Sequence, residues 1–260
     1  MEVFLYFYLL LAFFSINAGA ASNRRPDGRI VNGLLAREGQ FPFQLSLRRL
    51  SIHLCGAAVL GDSWAITAAH CIDGHELQPQ EYTLRLGSVQ RSSGGSIVNI
   101  RTIYKHPSYT ATDMNFDVGL LRTVTGALFM DPNVAPVRMP GSGDKIRENM
   151  AATVSGWGHI SSTDAILSSE LQYTTVLTVN QRRCKEYLSN HGTVTDAMFC
   201  AAARSTDACQ GDSGGPIIAE ETLIGVVSWG VGCADPYYPG VYTRLAHPHI
   251  RRWVRLLTKL

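Results

Sequence analysis

Residues 209–216 read CQGDSGGP and residues 221–230 read ETLIGVVSWG. The first stretch offers a nucleophile, and the second decides what kind of fold surrounds it. A serine flanked by glycines exposes its hydroxyl and lets another backbone approach closely. Gly211-Asp212-Ser213-Gly214-Gly215 also fits G-x-S-x-G, the elbow that joins a strand to a helix in a largely parallel sheet. That architecture runs serine, acid, histidine, and Ser213, Asp235 and His247 or His249 stand in that order. The elbow, however, requires a helix after the serine. Here the serine leads into a strand-length run of β-branched and aliphatic residues ending in the turn signal Ser228-Trp229-Gly230. Only 47 residues remain beyond Ser213, which leaves little room for further strand–helix units. Outside a catalytic setting the motif is an ordinary polar turn, because Ser and Gly are common turn residues.

The same texture extends through most of the chain. FPFQLSL (41–47), HLCGAAVLG (53–61), EYTLRLGS (81–88), DVGLLR (117–122) and PGVYTRL (239–245) are short apolar runs bounded by Gly, Pro, Asp or Ser. Their length, composition and close spacing predict an all-β sandwich or barrel. Residues 132–144 carry three prolines and two glycines and suit a connection between two halves of the β structure. One helix is expected after Pro248. Ile250, Trp253, Val254 and Leu257 fall at i, i+3, i+4 and i+7, while Arg251, Arg252, Arg255 and Lys259 fall mainly on the other side. A basic helix can bind a membrane surface, but an amphipathic helix docked on the β body with a solvated face is the better reading.

Composition narrows the class further. The 260 residues are 45% hydrophobic and 17% charged, with a formal net charge of +2, which argues against disorder and against a strongly basic nucleic-acid binder. Val3 to Phe14 form a run of twelve apolar residues, too short for a bilayer span of about 20. The run suits the centre of a secretory signal peptide, with Ala18-Gly19-Ala20 supplying small residues for cleavage. The fit is imperfect, because Glu2 precedes the run and no Lys or Arg does. Export predicts a disulfide-permissive, extracellular protein with no membrane association. No N-x-[ST] acceptor occurs. The six cysteines form no C-x-x-C pair and allow 15 pairings.

A lone serine is a poor nucleophile and needs a base and an orienting acid. WAITAAHC (64–71) places His70 at the end of an apolar run beside Cys71, and NFDVGLL (115–121) opens an apolar run with Asp117. Each residue alone would be structural or solvated. Together with IVNG (30–33), GWG (156–158), GDSGGP (211–216), SWG (228–230) and PGVYT (239–243), they closely resemble the chymotrypsin-like serine proteases of trypsin type. The resemblance runs from Ile30 to Leu260, in the family's order and approximate spacing. Ala57 and Gly119 stand where the family usually has Gly and Ala, a departure expected to touch packing more than chemistry.

The resemblance implies two antiparallel six-stranded β-barrels, at about 30–140 and 141–260, with a C-terminal α-helix. It makes residues 1–20 the signal peptide, 21–29 an activation propeptide and 30–260 the peptidase domain. Ser213 would attack the scissile carbonyl, His70 would carry the proton, and Asp117 would hold the imidazole. The amides of Gly211 and Ser213 would form the oxyanion hole. Asp207 would be the floor of the specificity pocket, with Ala208, Ser228, Trp229, Gly230 and Gly240 around the substrate. A carboxylate there selects Arg or Lys before the cleaved bond. Ala208, where many trypsins have Ser, favours Arg, whose fork pairs bidentately with a carboxylate.

The resemblance also implies a zymogen. Cleavage between Arg29 and Ile30 by a trypsin-like protease would release an amine that pairs with Asp212. The implied disulfides are Cys55–Cys71, Cys184–Cys200 and Cys209–Cys233. No cofactor or metal is expected. GSVQRSSGG (87–95) has no acid where the family's calcium loop carries them, and Pro239 replaces the tyrosine of sodium-activated relatives. The expected partners are protein or peptide substrates, the activating protease and protein protease inhibitors, with no nucleic acid, and the enzyme is expected to be a monomer. The competing reading is a catalytically silent homologue acting as a binding or regulatory protein. The complete triad argues against it.

Overall fold

The computed structural model describes residues 33–159, 166–203, 211–232 and 237–260. The chain is mostly β. Its strands are β1 (Leu34–Leu35), β2 (Gln44–Arg49), β3 (Ile52–Val59), β4 (Trp64–Thr67), β5 (Tyr82–Leu86), β6 (Ser96–Asn99), β7 (Thr102–Lys105) and β8 (Gly119–Arg122) in the first half. The second half holds β9 (Ala151–Gly156), β10 (Gln172–Thr178), β11 (Met198–Ala202), β12 (Pro216–Ala219), β13 (Thr222–Trp229) and β14 (Gly240–Arg244). Two α-helices are present among the described residues, α1 (Gln181–Tyr187) and α2 (Pro248–Thr258).

The second-half strands run β10-β11-β14-β13-β12-β9, and β9 pairs back onto β10, so six strands close into an antiparallel barrel. The two-residue β1 adds to its outside along β10. The other sheet is ordered β6-β5-β2-β3-β4-β8-β7 and curls on itself. Its two edge strands are consecutive along the chain, with only Ile100 and Arg101 between them. Those two residues still donate backbone hydrogen bonds to Tyr82 and Arg122, on opposite sides of the curl. Each barrel is filled by the alternate residues of its strands. Leu45, Leu47, Ala57, Val59, Leu84 and Leu86 fill the first, and Val154, Val176, Ala201, Ile217 and Tyr242 the second.

The two sheets meet through a third apolar cluster. Trp64, Ile66, Val118 and Leu120 of the first half pack with Leu223, Val226 and Leu245 of the second. Helix α2 covers this junction with fully buried Ile250 and Val254, helped by Trp253 and Leu257. Pro248 occupies the first turn, where its missing N–H costs nothing, and the His247 side chain accepts a hydrogen bond from His249 N–H.

Two bridges, Cys55–Cys71 and Cys184–Cys200, are formed, with Cα–Cα separations of 6.3 and 5.8 Å. The expected third pair, Cys209 and Cys233, lies outside the described residues, as do Arg29, Ile30, Asp207 and Ala208. No helix among the described residues is long and apolar enough to cross a membrane.

Candidate active site

The site lies where the two sheets touch. The backbone of Gly56 in β3 meets that of Gly215 so closely that a Cβ on Gly56 would stand 2.6 Å from the Gly215 Cα. Only glycine permits this approach. Gly56 N–H donates to the Ser213 carbonyl at 2.8 Å across the crossing, and within the first sheet Thr67 Oγ1 donates to the Gly56 carbonyl at 2.8 Å. The segment bearing Ser213 is thereby fixed against the sheet that carries His70. Gly214, with φ +74°, makes the turn, and its N–H donates to Val227 in the neighbouring strand β13.

His70 lies just past β4, and Asp117 just before β8, the strand paired with β4. That pairing brings the two side chains together. His70 Nδ1 donates to Asp117 Oδ2 at 2.8 Å, and the His70 backbone N–H donates to Oδ1 at 2.9 Å. Asp117 has no solvent exposure. A buried carboxylate is tolerated only with its acceptor sites filled, and a third donor, Ser228 Oγ, reaches Oδ2 at 2.6 Å. Thr243 Oγ1 donates to the Asp117 backbone carbonyl at 2.6 Å, so the second barrel grips the acid on both side chain and main chain.

Cys71 Sγ lies 3.7 Å from His70 Nε2 and 3.8 Å from the Ser213 carbonyl, which puts the imidazole edge and the serine segment around one sulfur. Cys55, His70 and Cys71 are close enough to suggest a metal centre. Their sulfurs are tied in a disulfide and offer no thiolate, so the cluster does not have the donors of a metal site.

Gly211 and Ser213 flank Asp212. Among the described residues, neither of their N–H groups donates a hydrogen bond. Asp212 is fully buried, and its Oδ1 accepts from Gly158 N–H at 2.8 Å. A Cβ on Gly158 would stand 2.8 Å from that oxygen, so the GWG motif leaves room for the carboxylate.

Ser228 is a substrate-groove residue by its sequence motif, yet its side chain turns inward to Asp117. Gly230 and Gly240 face each other, with a Cβ on Gly230 only 3.9 Å from the Gly240 Cα. Trp229 packs beside Val231 and Tyr238.

Sequence reasoning missed His53. Its Nε2 lies 3.1 Å from the Gly211 carbonyl and its Nδ1 2.7 Å from Ser46 Oγ. A carbonyl only accepts, so Nε2 carries the proton and Nδ1 accepts from the Ser46 hydroxyl. Burial, joined by the charges of Arg91 and Arg48, lowers the His53 pKa to about 4 against the pull of the Gly211 hydrogen bond. His53 is therefore a neutral strut holding the carbonyl of Gly211. The signal lay in IHLC (52–55), where Ile52 and Leu54 point out and His53 points in with Cys55.

The comparisons with known proteins agree with this geometry. The family model Trypsin matches residues 30–254. The chain is 39% identical to Trypsin 5G1 of Aedes aegypti over 91% of its own length and 87% of that protein. It is 38% identical to Trypsin Blo t 3 of Blomia tropicalis, covering 85% of this chain and 84% of that one. With Trypsin delta of Drosophila erecta it shares 39% identity over 88% of each chain. A match across nearly the whole β body, on a fold that brings His70, Asp117 and Ser213 to one seam, makes this chain a serine endopeptidase of the trypsin family.

Proposed function

We propose that this protein is a secreted endopeptidase, made as a zymogen, that cuts peptide bonds after Arg and, less readily, Lys. The observation that carries the catalytic part is the buried Asp117 carboxylate, filled by His70 Nδ1, the His70 amide and Ser228 Oγ. A carboxylate held this way fixes the imidazole tautomer with its proton on Nδ1 and leaves Nε2 to act as a base.

Ser213 Oγ attacks the scissile carbonyl as His70 Nε2 takes its proton. Asp117 stabilises the imidazolium, and His70 then returns the proton to the leaving amine. The oxyanion is received by the amides of Gly211 and Ser213, whose carbonyl-side anchors are His53 and Gly56. Loss of one such donor typically costs about 100- to 1000-fold in turnover. Water replaces the amine for the second half of the reaction.

Asp207 supplies the negative charge at the base of the pocket, between walls kept open by Gly230 and Gly240. Ala208 beside it offers no hydroxyl to a Lys ammonium, so Arg is preferred. Cleavage after Arg29 frees the Ile30 amine, which pairs with Asp212 and orders the segment carrying Gly211 and Ser213. The burial of Asp212 supports this, because a carboxylate out of solvent favours a cation beside it. Export rests on the apolar run from Val3 to Phe14.

One experiment tests specificity and activation together. The precursor and its Arg29→Gln variant are treated with a trypsin-like protease, and hydrolysis of matched Arg and Lys peptides is followed. The expected result is activity only after cleavage of the wild-type chain, with higher kcat/KM for Arg. Full activity of the Arg29→Gln precursor contradicts the zymogen. Equal or faster Lys cleavage contradicts the assigned preference.

A further inference from the structure

One buried acceptor of the second barrel is left without a donor, and it lies beside Asp212. Gln172 in β10 has no solvent exposure, and its Oε1 accepts no hydrogen bond. A buried acceptor left unfilled costs free energy. The neighbouring serine fixes which way the amide faces. Ser168 Oγ has one proton, and that proton goes to the Glu170 carbonyl at 2.6 Å, because a carbonyl only accepts. Ser168 Oγ therefore accepts from Gln172, so the atom 3.1 Å from it is Nε2 and Oε1 faces away. A flipped amide would set two acceptors against each other.

Strand pairing shows what shares that face. Gln172 is the cross-strand partner of Gly156 in β9, so both residues address one side of the sheet. Gly156 has no side chain, and the Asp212 carboxylate takes the place of one, since a Cβ there would run into Oδ1. Paired Cβ positions lie about 5 Å apart, a span that a Gln side chain covers. Backbone bonds tie the two groups further. Ser168 N–H donates to the carbonyls of Trp157 and Gly158, and Gly158 N–H donates to Asp212 Oδ1.

A carboxylate and an amide oxygen on one buried face suit an ammonium, which has three donors to give. A peptide N–H has one. Burial bars a ligand from solution, but it suits a donor that the chain itself folds in, as the zymogen reading has Ile30 do at the equally buried Asp212. We propose that Gln172 is a positioning residue for activation, whose Oε1 accepts from the Ile30 ammonium and holds it together with Asp212. This rests on the zymogen reading and adds a second anchor to it. The acceptor is unfilled in the uncut chain because the nitrogen that fills it gains its extra protons only on cleavage.

The test compares wild-type and Gln172→Met protein before and after cleavage at Arg29. Met keeps the length of the side chain and loses the acceptor. Hydrolysis of an Arg peptide is followed from neutral into strongly alkaline pH, where activity ends as the amine loses its proton. The alkaline limb should move down by about one pH unit in Gln172→Met, roughly a tenfold weaker hold on that proton. The charged and titratable groups around the network are Asp212, Arg91 on the Ser168 carbonyl, Glu170 held by Gln90, and His53, which burial keeps neutral above about 4. Both proteins retain all of them.

Thermal midpoints separate positioning from packing. Cleavage should raise the midpoint of the wild-type chain, and raise it less in Gln172→Met, while the uncut forms stay close together. Should Gln172→Met fail to fold, Gln172→Glu keeps an acceptor at the same reach and should hold the alkaline limb at or above the wild-type position. A downward shift there would contradict the role. If the zymogen reading fails, the Arg29→Gln precursor is fully active and the wild-type chain gains nothing on cleavage. If only the role of Gln172 fails, wild-type and Gln172→Met gain equally and share one alkaline limb. Either result overturns the proposal.

Discussion

At the scale of single residues, Gly119 shows how a small departure is absorbed. It stands where the resembling family usually has Ala, and the side chain of Ile72 fills the space a Cβ would take. Gly119 opens β8, two residues after Asp117, so crowding here bears on the acid. Gly119→Ala is expected to lower stability by about 1–3 kcal/mol through overpacking. Ile72→Val removes the Cδ1 atom that the new methyl would meet. The double variant should recover most of the loss in urea denaturation, with a coupling of about 1 kcal/mol. Additive losses would show that the two sites do not touch. The proposed roles of His70, Asp117 and Ser213 are legible as residue types in recognisable motifs. The role of His53 is not. A histidine on a short β run reads as solvated until strand phase and burial show it facing Gly211. The inward turn of Ser228 was hidden for a similar reason, because a β-strand places alternate side chains on opposite faces and sequence does not say which face holds Asp117.

At the scale of elements, the apolar runs placed β2, β3, β4, β5, β8, β13 and β14 to within a few residues, and the 3.6-residue pattern after Pro248 placed α2. The helix α1 had no such signal. Its sequence, QRRCKEY, buries only Cys184, and it forms because Asn180 caps its first turn and the Cys184–Cys200 bridge pins it to β11. The β2–β3 hairpin holds an unfavourable turn. Leu50 and Ser51, with φ of 49° and 69°, are the two central residues. A two-residue loop with both φ positive is the type I′ geometry that Asn-Gly fills best. Leu50 is also 66% exposed, so its side chain gains little there. Replacing Leu50-Ser51 by Asn-Gly is expected to raise stability by about 1 kcal/mol, read as a higher thermal midpoint. An unchanged or lower midpoint would mean that the loop's side chains hold it.

At the scale of the whole molecule, acid sensitivity arises from histidines buried between elements. Burial lowers the pKa of His53 and of His106 from 6.5 to about 4, with His247 a further influence on His106. His106 stacks on Phe116 at 4.9 Å and meets Trp253 of α2 edge-on, so it sits in the joint between the first sheet and the helix. The unfolded chain protonates these groups near 6.5, whereas the folded chain resists until about 4. Their contribution is therefore complete above 6.5 and is lost as pH falls from 6.5 towards 4. The thermal midpoint should drop across that window, and His106→Gln should flatten the drop. A midpoint flat over the window would contradict the assigned burial effect.

In the proposed mechanism, catalysis rests on Ser213 as a nucleophile activated by His70, whose imidazole Asp117 holds in place. After cleavage at the Arg29–Ile30 bond, the protein is treated with a fluorophosphonate, a reagent that only an activated serine attacks, and the adduct is located by peptide mass mapping. One label is expected, on Ser213. It should be absent in His70→Ala and slowed by about 10⁴-fold in Asp117→Asn, where the imidazole tautomer is wrong. A chain that takes no label after cleavage, or takes it equally well without His70, would contradict these roles.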